Sequence, residues 1–133
     1  MATVVGVWES GFTDEQLFIE WRMWKQTISA YCIRDWRMVG SVPGCGAYQE
    51  FERIEDAIAD IDEHRRIFMI PGARLSIDDI RPVSDPALIF GSYDENLHRH
   101  VTPPSQAVSI PTPQETDMFA AACLPLALHR CVT

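Results

Sequence analysis

Ala87-Leu88-Ile89-Phe90-Gly91 and Ala107-Val108-Ser109-Ile110-Pro111-Thr112 are two apolar runs, the first stopped by a glycine and the second by Ile-Pro. A strand buried on both faces of a parallel sheet reads as such a continuous apolar run. Beyond them, from Thr116 to Arg130, the chain reads as a helix with almost no polar face. Two buried strands ending in turns, then an apolar helix, predict a ligand crevice at the carboxyl edge of an α/β sheet.

Upstream, strands and helices alternate. Thr3 to Trp8 is β-branched and apolar, and reads as a first strand. Gly11-Phe12-Thr13-Asp14 is a turn that caps a helix running to Tyr31, with Leu17, Trp21, Trp24, Ile28 and Tyr31 forming one apolar stripe. Phe18, Ile19 and Met23 add apolar surface on other faces, so this helix is expected to be buried on more than one side. Trp21 and Trp24 suit either the core of one chain or a subunit interface. Trp36 to Val42 reads as a second strand, Tyr48 to Glu52 as a short extension, Arg53 to Glu63 as an amphipathic helix and Arg65 to Ile70 as a third strand. Leu75 to Ile80 reads as one helical turn capped by Ser76. This order predicts a single three-layer α/β domain over residues 1–133, its sheet mostly parallel with helices on both faces.

At 133 residues and 47% hydrophobic content, the composition is that of a globular domain. No apolar run reaches a membrane span and no basic-then-apolar leader opens the chain, so a cytoplasmic protein with no membrane contact is expected. Cys32, Cys45, Cys123 and Cys131 form no CxxC and read as reduced thiols, Cys123 in the core. The formal charge of −8 opposes nucleic acid, so any RNA contact would fall to a second subunit or to a local basic patch: Arg22 with Lys25, Arg34 with Arg37, or Arg65 with Arg66.

Several chemistries leave no trace. There is no GxGxxG, no GxxxxGK[ST] and no GxSxG. His98 and His100 lack a third ligand at usable spacing, so no metal site is expected. The pairs Asp78-Asp79 and Asp94-Glu95 read as solvated turn acids.

Leu88-Ile89-Phe90-Gly91, Ser109-Ile110-Pro111-Thr112 and the apolar helix from Met118 to His129 resemble, in order and spacing, the carboxyl-terminal motifs of the SPOUT superfamily, and within it the SpoU/TrmH-type RNA 2'-O-ribose methyltransferases. The resemblance is strong over about fifty residues and faint upstream, where Ala30 to Gly40 and Ala57 to Ile70 carry it. It implies a C-terminal trefoil knot, a homodimer and S-adenosylmethionine held largely by backbone groups. The cofactor would lie against Pro71, Phe90, Gly91, Ile110, Pro111, Thr112 and Met118. A dimer would form through the first and last helices, around Trp21, Trp24, Phe119 and Leu126.

The chain departs from the family at its first motif. Glu20 and Gln26 stand where the family has an Asn and an Arg. Tyr93 replaces a Glu, Glu95 a glycine, and Phe119 an Asn; any of these side chains would narrow the pocket. Pro125 should kink the last helix. No catalytic residue can be assigned. Three readings follow: an RNA methyltransferase with altered motifs, a catalytically inactive SPOUT-fold homodimer serving as a binding protein, and an unrelated flavodoxin-like binding domain.

Overall fold

The computed structural model describes residues 1–92, 96–113 and 118–132. Tyr93, Glu95 and the expected helix start at Thr116 lie outside the described residues.

Seven strands form one sheet: β1 (Thr3–Val7), β2 (Asp35–Val39), β3 (Gln49–Phe51), β4 (Arg66–Met69), β5 (Leu75–Ser76), β6 (Ala87–Phe90) and β7 (Gln106–Ser109). Their order is β3-β2-β1-β6-β4-β7-β5, and every described pair is parallel. The two runs that announced the fold are not neighbours. β4 lies between β6 and β7, because the chain leaves β4 for the far edge, returns to β6 beside β1, and then crosses back.

The helices α1 (Asp14–Ala30) and α3 (Ala120–Val132) pack on one face, where Trp24, Ile28, Leu124 and Leu128 meet Val4, Trp36, Ile67, Leu88 and Val108. The other face carries α2 (Ile54–Ile58) and the 3₁₀ turn Leu97–His100, with Ile54, Ile58 and Leu97 against Val5, Phe68 and Ile89. This is a three-layer α/β arrangement, and its continuous apolar strands follow from burial on both sides.

Local chemistry sets the boundaries. Thr13 and Gln16 form a reciprocal cap at the start of α1: Gln16 N–H donates to Thr13 Oγ1 at 3.2 Å and Thr13 N–H to Gln16 Oε1 at 2.9 Å. At its other end Cys32 N–H donates to the Ser29 carbonyl and Ile33 N–H to the Ile28 carbonyl, with Cys32 at φ 54°. That is the six-to-one closure usually built on glycine. α2 is five residues long, well short of the expected 53–63. Arginines take the carbonyls at its end: Arg37 Nη1 donates to Ala57 at 2.8 Å, Arg66 Nη2 to Ile58 at 3.0 Å and Arg66 Nε to Ile61 at 2.8 Å. Leu75–Ser76 is a short edge strand, and the expected turn follows as Ile77–Asp79, with Asp78 N–H donating to Ser76 Oγ. Pro125 sits within α3, which continues through it to Val132.

Candidate functional site

Met69 of β4 is in register with Phe90 of β6 on one side and Val108 of β7 on the other, so three strands end at one level. Beyond them lies a cavity of about 520 Å³. That volume is within the usual range for small-molecule sites.

All seven residues expected to surround a cofactor line this one cavity: Pro71, Phe90, Gly91, Ile110, Pro111, Thr112 and Met118. The walls are fixed from three directions. Ile70 N–H donates to the Val108 carbonyl at 2.8 Å, and Ser109 Oγ donates to the Ala73 carbonyl at 2.9 Å, which ties the loop after β4 to the end of β7. Gly72 turns that loop at φ +77°, a conformation that favours glycine. The start of α3 supplies Ala120 and Cys123. Cys123, expected in the core, therefore faces the cavity and is half-buried; all four cysteines are free thiols.

Phe119 is not among the described lining residues. It is exposed and meets Phe12 edge-on, ring centroids 5.1 Å apart. Trp24 is 0% exposed and so cannot reach a partner chain, whereas Trp21 is half-buried and gives its indole N–H to the Gly46 carbonyl at 2.9 Å. Phe18, Ile19, Met23, Phe119 and Leu126 remain as exposed apolar side chains on α1 and near α3.

The basic pairs fare unevenly. Arg37 is buried in a fork on Asp35 and Asp60, at 2.9 and 2.5 Å, which raises its pKa further above the ordinary arginine value. Arg65 donates to the Asp85 carbonyl, and Arg66 is held on α2. These two stand at the start of β4, at the end opposite the cavity. Arg22, Lys25 and Arg34 are exposed; Lys25 lies 4.4 Å from the centre of the Trp21 ring. His98 is exposed, while His100 is half-buried with Nε2 3.8 Å from Glu55. Among the described residues no group of three or more His, Cys, Asp or Glu could hold a metal ion, and no helix is long and apolar enough to cross a membrane.

Sequence reasoning passed over one group. Glu20 is 4% exposed, and its carboxyl pKa is pushed up to about 7, chiefly by burial and further by Glu9, against the opposing hydrogen bond from Trp24. The signal was present: Glu20 stands four residues before Trp24, on the buried stripe of α1. Gln26, at the position of the family's arginine, is exposed.

No family model and no curated protein matches the sequence. Solved structures do. A protein described for 2-OH methylation of C/U34 on tRNA superposes with a TM-score of 0.67 at 12% identity, over 99% of this chain and 89% of its own. An RNA 2'-O ribose methyltransferase superposes at 0.71 with 14% identity, over 98% of this chain. The chain shares the fold of these RNA methyltransferases. TrmJ from Z. mobilis ZM4 gives 0.68 at 12% identity, over 98% of this chain and 67% of its own. The present chain spans 55% of the ribose methyltransferase's length. At these identities the likeness speaks to the fold.

Proposed function

We propose that this chain binds S-adenosylmethionine and acts as an RNA 2'-O-ribose methyltransferase of the SpoU/TrmH type, as a homodimer with a knotted carboxyl terminus. The observation that carries the reading is the single cavity lined by all seven residues of the motif resemblance. The residues present fit such a ligand. Apolar side chains from Phe90, Ile110 and Met118 suit an adenine ring and exclude water, and at Gly72 and Gly91 no side chain stands between the backbone and the cavity.

The cofactor would supply an electrophilic methyl group. The chain's own contribution is alignment: β4, β6 and β7 fix the walls, and the Ser109–Ala73 bond holds two of them together. A knot is supported by the position of β7 between β4 and β5, two strands joined directly by residues 70–74. A homodimer is supported by the exposed Phe18, Ile19, Met23, Phe119 and Leu126.

A second reading, an inactive SPOUT-fold binding protein, is favoured by one observation. Glu20 and Gln26 occupy the positions of the family's Asn and Arg, and the first is buried while the second is exposed. Calorimetry with S-adenosylmethionine, followed by transfer of labelled methyl to total RNA, tests both. Micromolar binding with ribose methylation supports the enzyme. Binding without transfer supports the inactive protein. No binding at millimolar ligand overturns the cofactor site.

A further inference from the structure

Two contacts connect a buried acid to the wall of the cavity. Glu20 Oε1 accepts the indole N–H of Trp24 at 3.3 Å, while Glu20 Oε2 has no partner. Trp24 meets Phe90 edge-on, centroids 5.8 Å apart at 86°, and Phe90 lines the cavity. Trp24 has little room to absorb a shift. Trp36 stacks on it at 6.4 Å, and a Cβ built on Gly6 would stand 2.6 Å from its ring. Close-packed aromatic groups pass displacement on to their neighbours.

We propose that Glu20 is a positioning residue for the cavity: its hydrogen bond seats Trp24, Trp24 seats Phe90, and gain or loss of one proton on its unpartnered oxygen reshapes the ligand site. The proposal rests on reading the cavity as a nucleoside-binding site. Chemically the two forms make different demands. A neutral carboxyl tolerates an apolar core, whereas a carboxylate needs donors. The same core holds two further polar atoms without partners, the indole N–H groups of Trp8 and Trp36.

The charged surroundings are few. Glu9, just after β1, faces Glu20 and opposes its ionisation. Cys45, from the segment after β2, shares the core cluster of Trp24, and burial and Asp14 hold its thiol protonated. From α3 come Ala120, Ala121 and Leu124, none of them ionisable. Burial thus places the proton equilibrium of Glu20 near neutral pH.

The test uses the full chain and Glu20→Gln, with Glu20→Met in reserve should the first variant fail to fold. Near-ultraviolet circular dichroism and tryptophan emission are followed from pH 5.5 to 8.5 without ligand, and affinity for S-adenosylhomocysteine is measured by calorimetry over the same range. The expected result is a spectral step near neutral pH in the wild type. Affinity should change by about fivefold or more across it, the lower end of coupling between linked sites. Both changes should be absent in the variant. A flat wild-type spectrum, a step that survives in the variant (and so belongs to another group), or constant affinity across the step overturns the proposal. If S-adenosylhomocysteine fails to bind at any pH, the cofactor reading falls instead, and the spectra alone decide whether Glu20 governs Trp24.

Discussion

Ser109 Oγ donates to the carbonyl of Ala73 at 2.9 Å, joining two points 36 residues apart in the chain. One partner ends β7 and the other lies in the loop after β4, so this bond closes a wall of the cavity. Ser109→Ala leaves the Ala73 carbonyl without that donor. The expected loss is about 1 kcal/mol in urea unfolding, together with weaker nucleoside binding by calorimetry. Unchanged affinity at reduced stability would confine the bond to a structural role.

Cys32 occupies the left-handed position that closes α1, at φ 54°. A side chain there is strained, and Cys32 is exposed, so removing it sacrifices little packing. Cys32→Gly is expected to raise stability by about 0.5 kcal/mol, read as a higher urea midpoint at unchanged slope. Cys32→Val should do the opposite, because β-branching worsens the same conformation.

The α/β class and the two cavity strands were legible because Ala87–Phe90 is apolar and buried on both faces, and because Ala107-Val108 lies in a second run that stops at Ile110-Pro111. The seven cavity residues came from the motif resemblance rather than from any local pattern, and all seven line the one cavity. The position of β4 between the two strands was not, since strand order depends on non-local pairing that no local pattern records. The short α2 escaped because Arg37 and Arg66 end it from other strands. Trp24 and Trp21 share one stripe, and only the packing of α3 and β1 shows that the first is sealed in while the second is half-exposed. Burial of Glu20 was signalled by its place four residues before Trp24 on the same stripe, a position at which a carboxyl is not the expected occupant.

Arg37 holds α2 on β2, forking onto Asp35 and Asp60 and donating to the Ala57 carbonyl. Arg37→Ala removes all three, and a loss of about 2 kcal/mol is expected in thermal or urea unfolding. Arg37→Lys should recover little, since an ammonium cannot reproduce the planar fork. The guanidinium also holds Asp60 below the usual carboxylate range. A carboxyl lowered on folding gives stability that is present above its unfolded pKa and lost as pH falls through the folded one. The wild type should therefore lose stability below about pH 4, and the variants should show a shallower acid limb.

The apolar side chains left exposed on α1, on α3 and just before α3 set the expected dimer. Phe119 and Leu126 are exposed by 56% and 51%. Leu126→Asp and Phe119→Asp should each shift light scattering toward the monomer while leaving the far-ultraviolet spectrum unchanged, because neither side chain belongs to the core. A wild type that is already monomeric at tens of micromolar would remove the dimer from the proposal.

Glu20 gives the opposite pH limb from Asp60. Its folded pKa is raised to about 7 from 4.5 by burial, so the folded state binds the extra proton between those values. Stability must then fall as pH rises from about 4.5 to about 7 and stay lower above it. Glu20→Gln carries no such proton. It keeps a polar group able to accept from Trp24, so the two proteins should be similar at pH 5. At pH 8 the variant should be the more stable, by on the order of 2 kcal/mol, because it has no charge to bury. Calorimetric melting at the two pH values decides it. A variant less stable than the wild type at pH 8 would mean that the carboxylate finds donors in the folded core.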